Sequence, residues 1–246
     1  MIVIVPTRSR PHNVAPLVCA FLETGAFDDG AELYFVVDHD DPCFDSYARA
    51  VDDTSRRAGN TRRVITLLDA RSWEPLVPKL NKAADYLRAT HPQPRHLGFM
   101  GDDHRPRTPG WVKRYREALD ELGTGVVSCP DGYRLDDLPT QWVMTADIIG
   151  ALGGRMVPAP VEHLYCDNAI RELACAAGCY AFLPDVLIEH LHPVAGKALD
   201  DEQYARVNSR EQYRKDRPSY RTWRRDGGLA DAAARIRSLR AQKEHS

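Results

Sequence analysis

No stretch of this sequence stays apolar for long enough to cross a bilayer. Runs such as the opening MIVIV, Met1 to Val5, are also too short for the core of a secretory signal, which predicts a chain that remains in the cytoplasm. The six cysteines, Cys19, Cys43, Cys129, Cys166, Cys175 and Cys179, form no CxxC pair and no regular framework. That argues against a zinc site or a disulfide scaffold and for reduced, buried thiols. No internal repeat or low-complexity segment interrupts the chain. What is present is ordinary for a globular protein, 43% apolar and 28% charged residues over 246 positions, which excludes wholesale disorder and leaves room for one large α/β domain or two small ones.

The net charge of −2 conceals an asymmetry. From Ala205 onward there are twelve Lys and Arg against five Asp and Glu, leaving 21 against 30 before it. Such a basic tail is either a solvated helical face or a surface for an anionic partner such as nucleic acid, a lipid headgroup or a phosphorylated acceptor.

Strand and helix patterns alternate from Met1 to Cys129. MIVIVP reads as a buried strand, followed by a helix with Asn13 as N-cap; AELYFVVD is a second strand, and Cys43 to Arg57 a helix. RRVITLLD, LVPKLNKAADYLRAT, RHLGFMG, Gly110 to Leu122 and GVVSC continue the alternation. This predicts a mostly parallel sheet with helices on both faces. The second half is less regular: a short strand and helix in TQWVMTADIIGALGG, an amphipathic helix in YCDNAIRELACAAG, and an apolar YAFLPDVLIEHLHP. KDRPSYRTWRRDGG reads as a loop between two terminal helices, the last of which is expected to be the most loosely held part.

Parallel sheets bind ligands at the carboxyl ends of their strands. Polar clusters fall at three predicted strand ends here: PTRSR, DHDD and GDDH. The pair Asp102 and Asp103 suits a hard divalent cation, Mg²⁺ or Mn²⁺. His190 and His192, two apart on an extended segment, face the same side, and either can complete such a site; the alternative is a pair of ordinary, partly buried histidines. Arg8 and Arg10 can fork onto phosphate oxygens, and Lys79 and Asn81 open a helix whose amino terminus favours an anion. Together these residues describe a nucleotide diphosphate held by a metal.

The ordered motifs IVPTRSRP, VVDHDD, KLNKA, GDDHRPRTPGW, LGG and YCDNAIRELA resemble the GT-A glycosyltransferases of the family 2 type, over roughly Met1 to Pro193. The resemblance implies a GT-A-type three-layer α/β/α sandwich with a Rossmann-like nucleotide-binding half, spanning 1–198, and a basic helical extension, 199–246. It implies that Thr7, Arg8, Asp38, Lys79, Asn81 and Asp102 contact a nucleotide-diphosphate sugar and that Asp103 binds the cation; the residue pattern adds Pro6 and Arg10 to the sugar-nucleotide contacts and His190 to the cation site. It makes Asp167 the base that takes the acceptor's proton, with Glu162 and Asp147 in reserve; as a residue-level alternative, Asp167 is a helix N-cap. The motif reads DDH where the family commonly has Asp-x-Asp.

The expected activity is therefore a metal-dependent sugar transfer, with inversion, to an acceptor that is anionic if the tail takes part: nucleic acid, or a phosphorylated or lipid-linked glycan. A nucleotidyltransferase also uses paired aspartates, but PTRSRPHN lacks the glycine-rich phosphate loop with which such enzymes usually begin. A non-catalytic nucleotide-sugar or glycan-binding module is the alternative outside enzymes.

Overall fold

The computed structural model describes residues 1–57, 64–70, 75–91, 95–193, 196–197 and 202–244. The first two residues of RRVITLLD and the junction at 198–199 lie outside them.

Strands β1 (Ile2–Thr7), β2 (Glu32–Asp38), β3 (Val64–Ala70), β4 (His96–Phe99), β6 (Val126–Ser128), β7 (Trp142–Thr145) and β8 (Tyr180–Phe182) form one sheet in the order β3-β2-β1-β4-β7-β6-β8. All neighbours are parallel except at β7, which runs against both β4 and β6. A two-stranded antiparallel ribbon joins β5 (His104–Pro106) to β9 (Ile188–His190), placing His104 opposite His190.

The strands bury both faces, so their side chains divide by parity. Ile2, Ile4, Tyr34, Val36, Leu97, Phe99, Trp142 and Met144 point to one core; Val3, Val5, Leu33, Phe35, Val37, Ile65 and Val143 point to the other. The second core is covered by α1 (Val14–Glu23), α2 (Phe44–Arg57) and α4 (Trp111–Leu122). The first is covered by α3 (Leu76–Thr90), α5 (Ala146–Ala151), α6 (Cys166–Ala176), α8 (Arg210–Arg225) and α9 (Gly228–Glu244); a short α7 (Glu202–Val207) precedes α8. The result is a three-layer α/β/α sandwich. No helix among the described residues is long and apolar enough to cross a membrane.

Two expectations about the tail need correction. The segment read as a loop at KDRPSYRTWRRDGG is mostly α8, which carries Pro218 inside it. Proline suggested a break, but Tyr220 and Trp223 bury one face of the helix in the sheet's core, and packing outweighs the proline's local cost of about 3 kcal/mol. The last helix is not loosely held either: Ala232, Ala233 and Ile236 of α9 are buried in the same core. All six cysteines are free, but only Cys129, Cys166 and Cys179 are buried.

Candidate active site

A cleft of about 610 Å³ opens at the carboxyl ends of β1 and β4, between the β5–β9 ribbon, the start of α6 and the turn of chain around α7. The first wall is built by residues that follow β1. Ser9 takes a left-handed conformation (φ 57°), held by its N–H on Asp41 Oδ2 at 2.7 Å, and the Arg10 N–H donates to the Tyr47 hydroxyl at 2.7 Å. This turn presents Arg8 and Arg10 to the cleft from both sides. Arg8 Nη1 reaches Asp38 Oδ2 and Asp40 Oδ1, each at 3.0 Å, and Lys79 Nζ donates to the same Asp38 oxygen at 2.7 Å. Burial pulls the Lys79 pKa below its usual value in spite of Asp38. Asp38 is fully buried behind these two cations, and its Oδ1 has no hydrogen-bond partner among the described residues.

The floor is the GDDH segment. A side chain at Gly101 would meet Asp103 Oδ1 at 2.7 Å and His104 Nδ1 at 2.8 Å, so a Cβ there would displace the carboxylate and imidazole of the site. Asp102 points back into the domain, accepting from the Thr7 hydroxyl, from Asn13 Nδ2 at 3.2 Å and from Arg10 Nη1 at 3.4 Å. Burial, with Asp103 beside it, raises the Asp102 pKa to about 6.

Asp103 faces the other way. Its Oδ1 lies 3.3 Å from His104 Nδ1 and 3.3 Å from His190 Nε2, and the donor atoms of these three residues all fall within 4.8 Å of one another. The two imidazoles stack with centroids 4.1 Å apart, a consequence of the β5–β9 register. Their chemistry differs. Both His104 nitrogens have partners: Nδ1 accepts the Gly101 N–H at 3.1 Å, and Nε2 lies 3.2 Å from the Thr140 hydroxyl. Burial, with His190 beside it, lowers the His104 pKa to about 4, leaving the ring neutral. Burial disfavours charge on His190 too, but Asp103 on Nε2 and Asp131, 3.7 Å from Nδ1, outweigh it and raise its pKa to about 9. Positive charge is thus favoured between Asp103 and His190. The Asp103 carboxylate suits either expected cation, and an imidazole beside it fits Mn²⁺ better than the harder Mg²⁺.

The far wall carries Asp167, the second residue of α6. The cap position belongs to Tyr165 (φ 66°), and no side-chain cap bond is made, so the N-cap reading of Asp167 is set aside. Among the described residues its carboxylate accepts only the Cys166 thiol, at 3.4 Å, and burial raises its pKa to about 6. The segment leading to it is clamped by α8. Buried Asp216 accepts the N–H groups of Glu162 (2.7 Å), His163 (3.0 Å) and Leu164 (2.7 Å), and the Tyr165 ring stacks on Tyr220 at 5.1 Å.

Of the residues anticipated from sequence, Pro6, Thr7, Arg8, Arg10, Lys79, Asp102, Asp103, Asp167 and His190 all line this one cleft, as does His192. Asn81 does not. It lies about 200° around α3 from Lys79, and its carboxamide pairs with both backbone groups of Val157, at 2.9 and 2.8 Å. The reserve residues are elsewhere: Glu162 beside Lys215 and Gln212, and Asp147 bonded to Thr124 and Lys243. Sequence reading missed Asn13, whose side chain holds Asp102 instead of capping α1, and Asp131, Thr140 and Asp216, which support the site from segments with no motif. His104 was visible in GDDH and passed over.

No protein-family model matches this sequence, and no curated protein is similar to it. Solved structures do match. The mannosyltransferase PcManGT from Pyrobaculum calidifontis, in complex with GDP-Man and Mn²⁺, aligns with TM-score 0.62 and 15% identity over 98% of this chain and 72% of its own. S. aureus TarS 1–349 aligns with TM-score 0.54 and 14% identity over 76% of this chain and 58% of its own; its complex with UDP-GlcNAc gives 0.51. The fold is therefore the GT-A type of nucleotide-diphosphosugar transferases.

Proposed function

We propose that this protein moves a sugar from a nucleotide-diphosphate sugar to an acceptor hydroxyl, with a divalent cation and with inversion at the anomeric carbon. The observation that carries the reading is one cleft with three kinds of wall. Arg8, Arg10 and Lys79 supply positive charge, Asp103 and His190 form a cation-binding pair, and Asp167 lines the same cleft with a carboxylate that makes no ion pair among the described residues. The fold shared with PcManGT, which carries GDP-Man and Mn²⁺, and with TarS, which carries UDP-GlcNAc, supports it.

In this reading Pro6, Thr7 and Arg8, backed by Asp38, hold the base and ribose; Lys79 and Arg10 meet the diphosphate; Asp102 fixes the ribose end through its bonds to Thr7 and Asn13. Asp103 and His190 would hold Mn²⁺ or Mg²⁺, with His104, the second imidazole of the cluster, beside them. When bound, that ion stabilises negative charge developing on the leaving diphosphate. Asp167 accepts the proton of the acceptor hydroxyl as the new glycosidic bond forms, because an alcohol is a poor nucleophile until a base within reach takes its proton. Thermal shift and nucleotide release with UDP-, GDP-, dTDP- and CMP-sugars, with and without Mn²⁺, test this reading. Stabilisation by one of them and release of its nucleotide diphosphate are expected. Binding without release in any acceptor mixture would favour a non-catalytic module, and no binding at all would overturn the reading.

A further inference from the structure

Four arginines of α8 stand in a single stripe. Arg210, Arg214, Arg217 and Arg221 are spaced four, three and four apart, and at 3.6 residues per turn this places them on one side of the helix over about 16 Å. All four are exposed, and among the described residues no carboxylate pairs with any of them. Their neighbours on the same helix behave differently: Lys215 meets Glu162 and Glu211, Arg224 meets Glu172, and Arg225 meets Asp226. Like charges three and four apart on a helix repel, so the stripe carries a cost that no internal partner offsets.

The stripe also has a position. The buried face of α8 is set by Asp216, Tyr220 and Trp223. Tyr213 lies between that face and the arginines; it is 45% exposed, lines the cleft, and meets the Tyr165 ring edge-on at 6.4 Å. Tyr165 stands two residues before Asp167. A chain leaving the cleft past Asp167 thus meets an aromatic ring first and a row of guanidinium groups next. An aromatic face suits a sugar ring, and guanidinium forks suit carboxylates and related anions. A membrane surface fits less well, because a helix lying in a bilayer interface buries an apolar face there, and the apolar face of α8 is turned into the core.

We infer that α8 is the acceptor-docking surface and that the acceptor is an acidic glycan, laid along Arg210, Arg214, Arg217 and Arg221 with its terminal sugar at Tyr213. The inference rests on the transferase reading above. The paired Arg224 and Arg225 have no part in it.

The test is binding of an octagalacturonate by calorimetry, against neutral maltooctaose, an eight-residue oligo-dT and phosphatidylglycerol vesicles, at two salt concentrations. Octagalacturonate should bind more tightly than the other three and lose affinity as salt rises. The Arg210→Gln/Arg214→Gln/Arg217→Gln/Arg221→Gln variant should weaken it at least about tenfold, the combined effect of four exposed ion pairs. The double variant Arg214→Gln/Arg217→Gln should fall between, and serves if the quadruple variant misfolds. Unchanged affinity in the variants overturns the inference, as does preference for oligo-dT, for vesicles or for the neutral glycan. Sugar-nucleotide binding, measured on the same samples by thermal shift, should be untouched by these substitutions. Its absence in the wild type would sink the transferase reading, whereas its presence without octagalacturonate binding would sink only this one.

Discussion

Two carboxylates in this cleft are set for opposite tasks by their surroundings. Asp103, though buried, is held by the charged His190 well below the usual carboxylate range, as suits a cation ligand; Asp167, desolvated, rises to about 6 and can accept a proton near neutral pH. Asp167→Asn should therefore keep nucleotide binding and slow transfer at least about 100-fold, with the wild-type rate rising with pH through about 6. The same shift has a sign for stability. A carboxyl whose folded pKa is raised stabilises the fold when protonated, and that contribution is lost as pH rises through about 6. Asp167→Asn should therefore melt higher than wild type at pH 7.5, by about 6–12 °C, with the difference vanishing below pH 4. An equal rate and equal melting temperature at pH 7.5 would return Asp167 to a structural role. For Asp103→Ala, nucleotide binding should lose its dependence on Mn²⁺, and EDTA should reproduce that loss in the wild type; full activity in either case removes the cation from the reading. Strand-end carboxylates were legible in GDDH and DHDD because clustered charge that closes an apolar run needs water, a cation or a hydrogen-bond donor to offset it. Asp131 and Asn13 were not, since nothing local distinguishes a carboxylate or amide that supports the site from one in a turn or cap.

At the scale of elements, α8 shows where sequence periodicity fails. Its inward residues Gln212, Asp216, Tyr220 and Trp223 do follow helical spacing, but a buried aspartate, a proline and many arginines conceal the pattern. Asp216 makes sense only in three dimensions, as the acceptor for three successive backbone N–H groups that would otherwise lose their partners. Asp216→Ala should cost about 2–4 kcal/mol, since charged hydrogen bonds contribute more than neutral ones and the freed N–H groups stay desolvated. Because those groups belong to the segment that delivers Asp167, transfer should slow while nucleotide affinity stays constant. A stability loss with an unchanged rate would show that α8 supports the fold without positioning the base. The strands and α3 posed no such difficulty: continuous apolar runs and a clean amphipathic pattern carried their assignment, with α3 matching LVPKLNKAADYLRAT at both ends.

Across the whole molecule, the two halves of the chain were unequally legible for a physical reason. Alternating strands and helices up to Cys129 repeat one unit whose pattern is local, whereas β7 to α9 close the sheet through contacts between distant segments. The last helix illustrates this, since its sequence has almost no amphipathic signal and its role depends on what lies beneath it. Ala232 and Ala233 allow α9 to approach closely, and Ile236, fully buried, enters the core shared by α5, α6 and the sheet. Its basic side chains then fasten the edge: Arg237 donates to the Ala176 carbonyl at 2.7 Å, Arg240 to the Gly178 carbonyl at 2.6 Å, and Lys243 pairs with Asp147. Arg237 and Arg240 therefore cap the carboxyl end of α6, where the helix dipole favours positive charge. Ile236→Ala should destabilise the protein by about 2–5 kcal/mol through the cavity it leaves, while Arg235→Gln, at an exposed position of the same helix, should change stability by less than about 0.5 kcal/mol. Because α6 carries Asp167 at its other end, the Ile236 variant should also lose transfer activity on warming before nucleotide binding is lost. Urea melts of the two variants decide it: a cost for Ile236→Ala no larger than that for Arg235→Gln would mean that α9 is detachable and that the core of the domain closes without it.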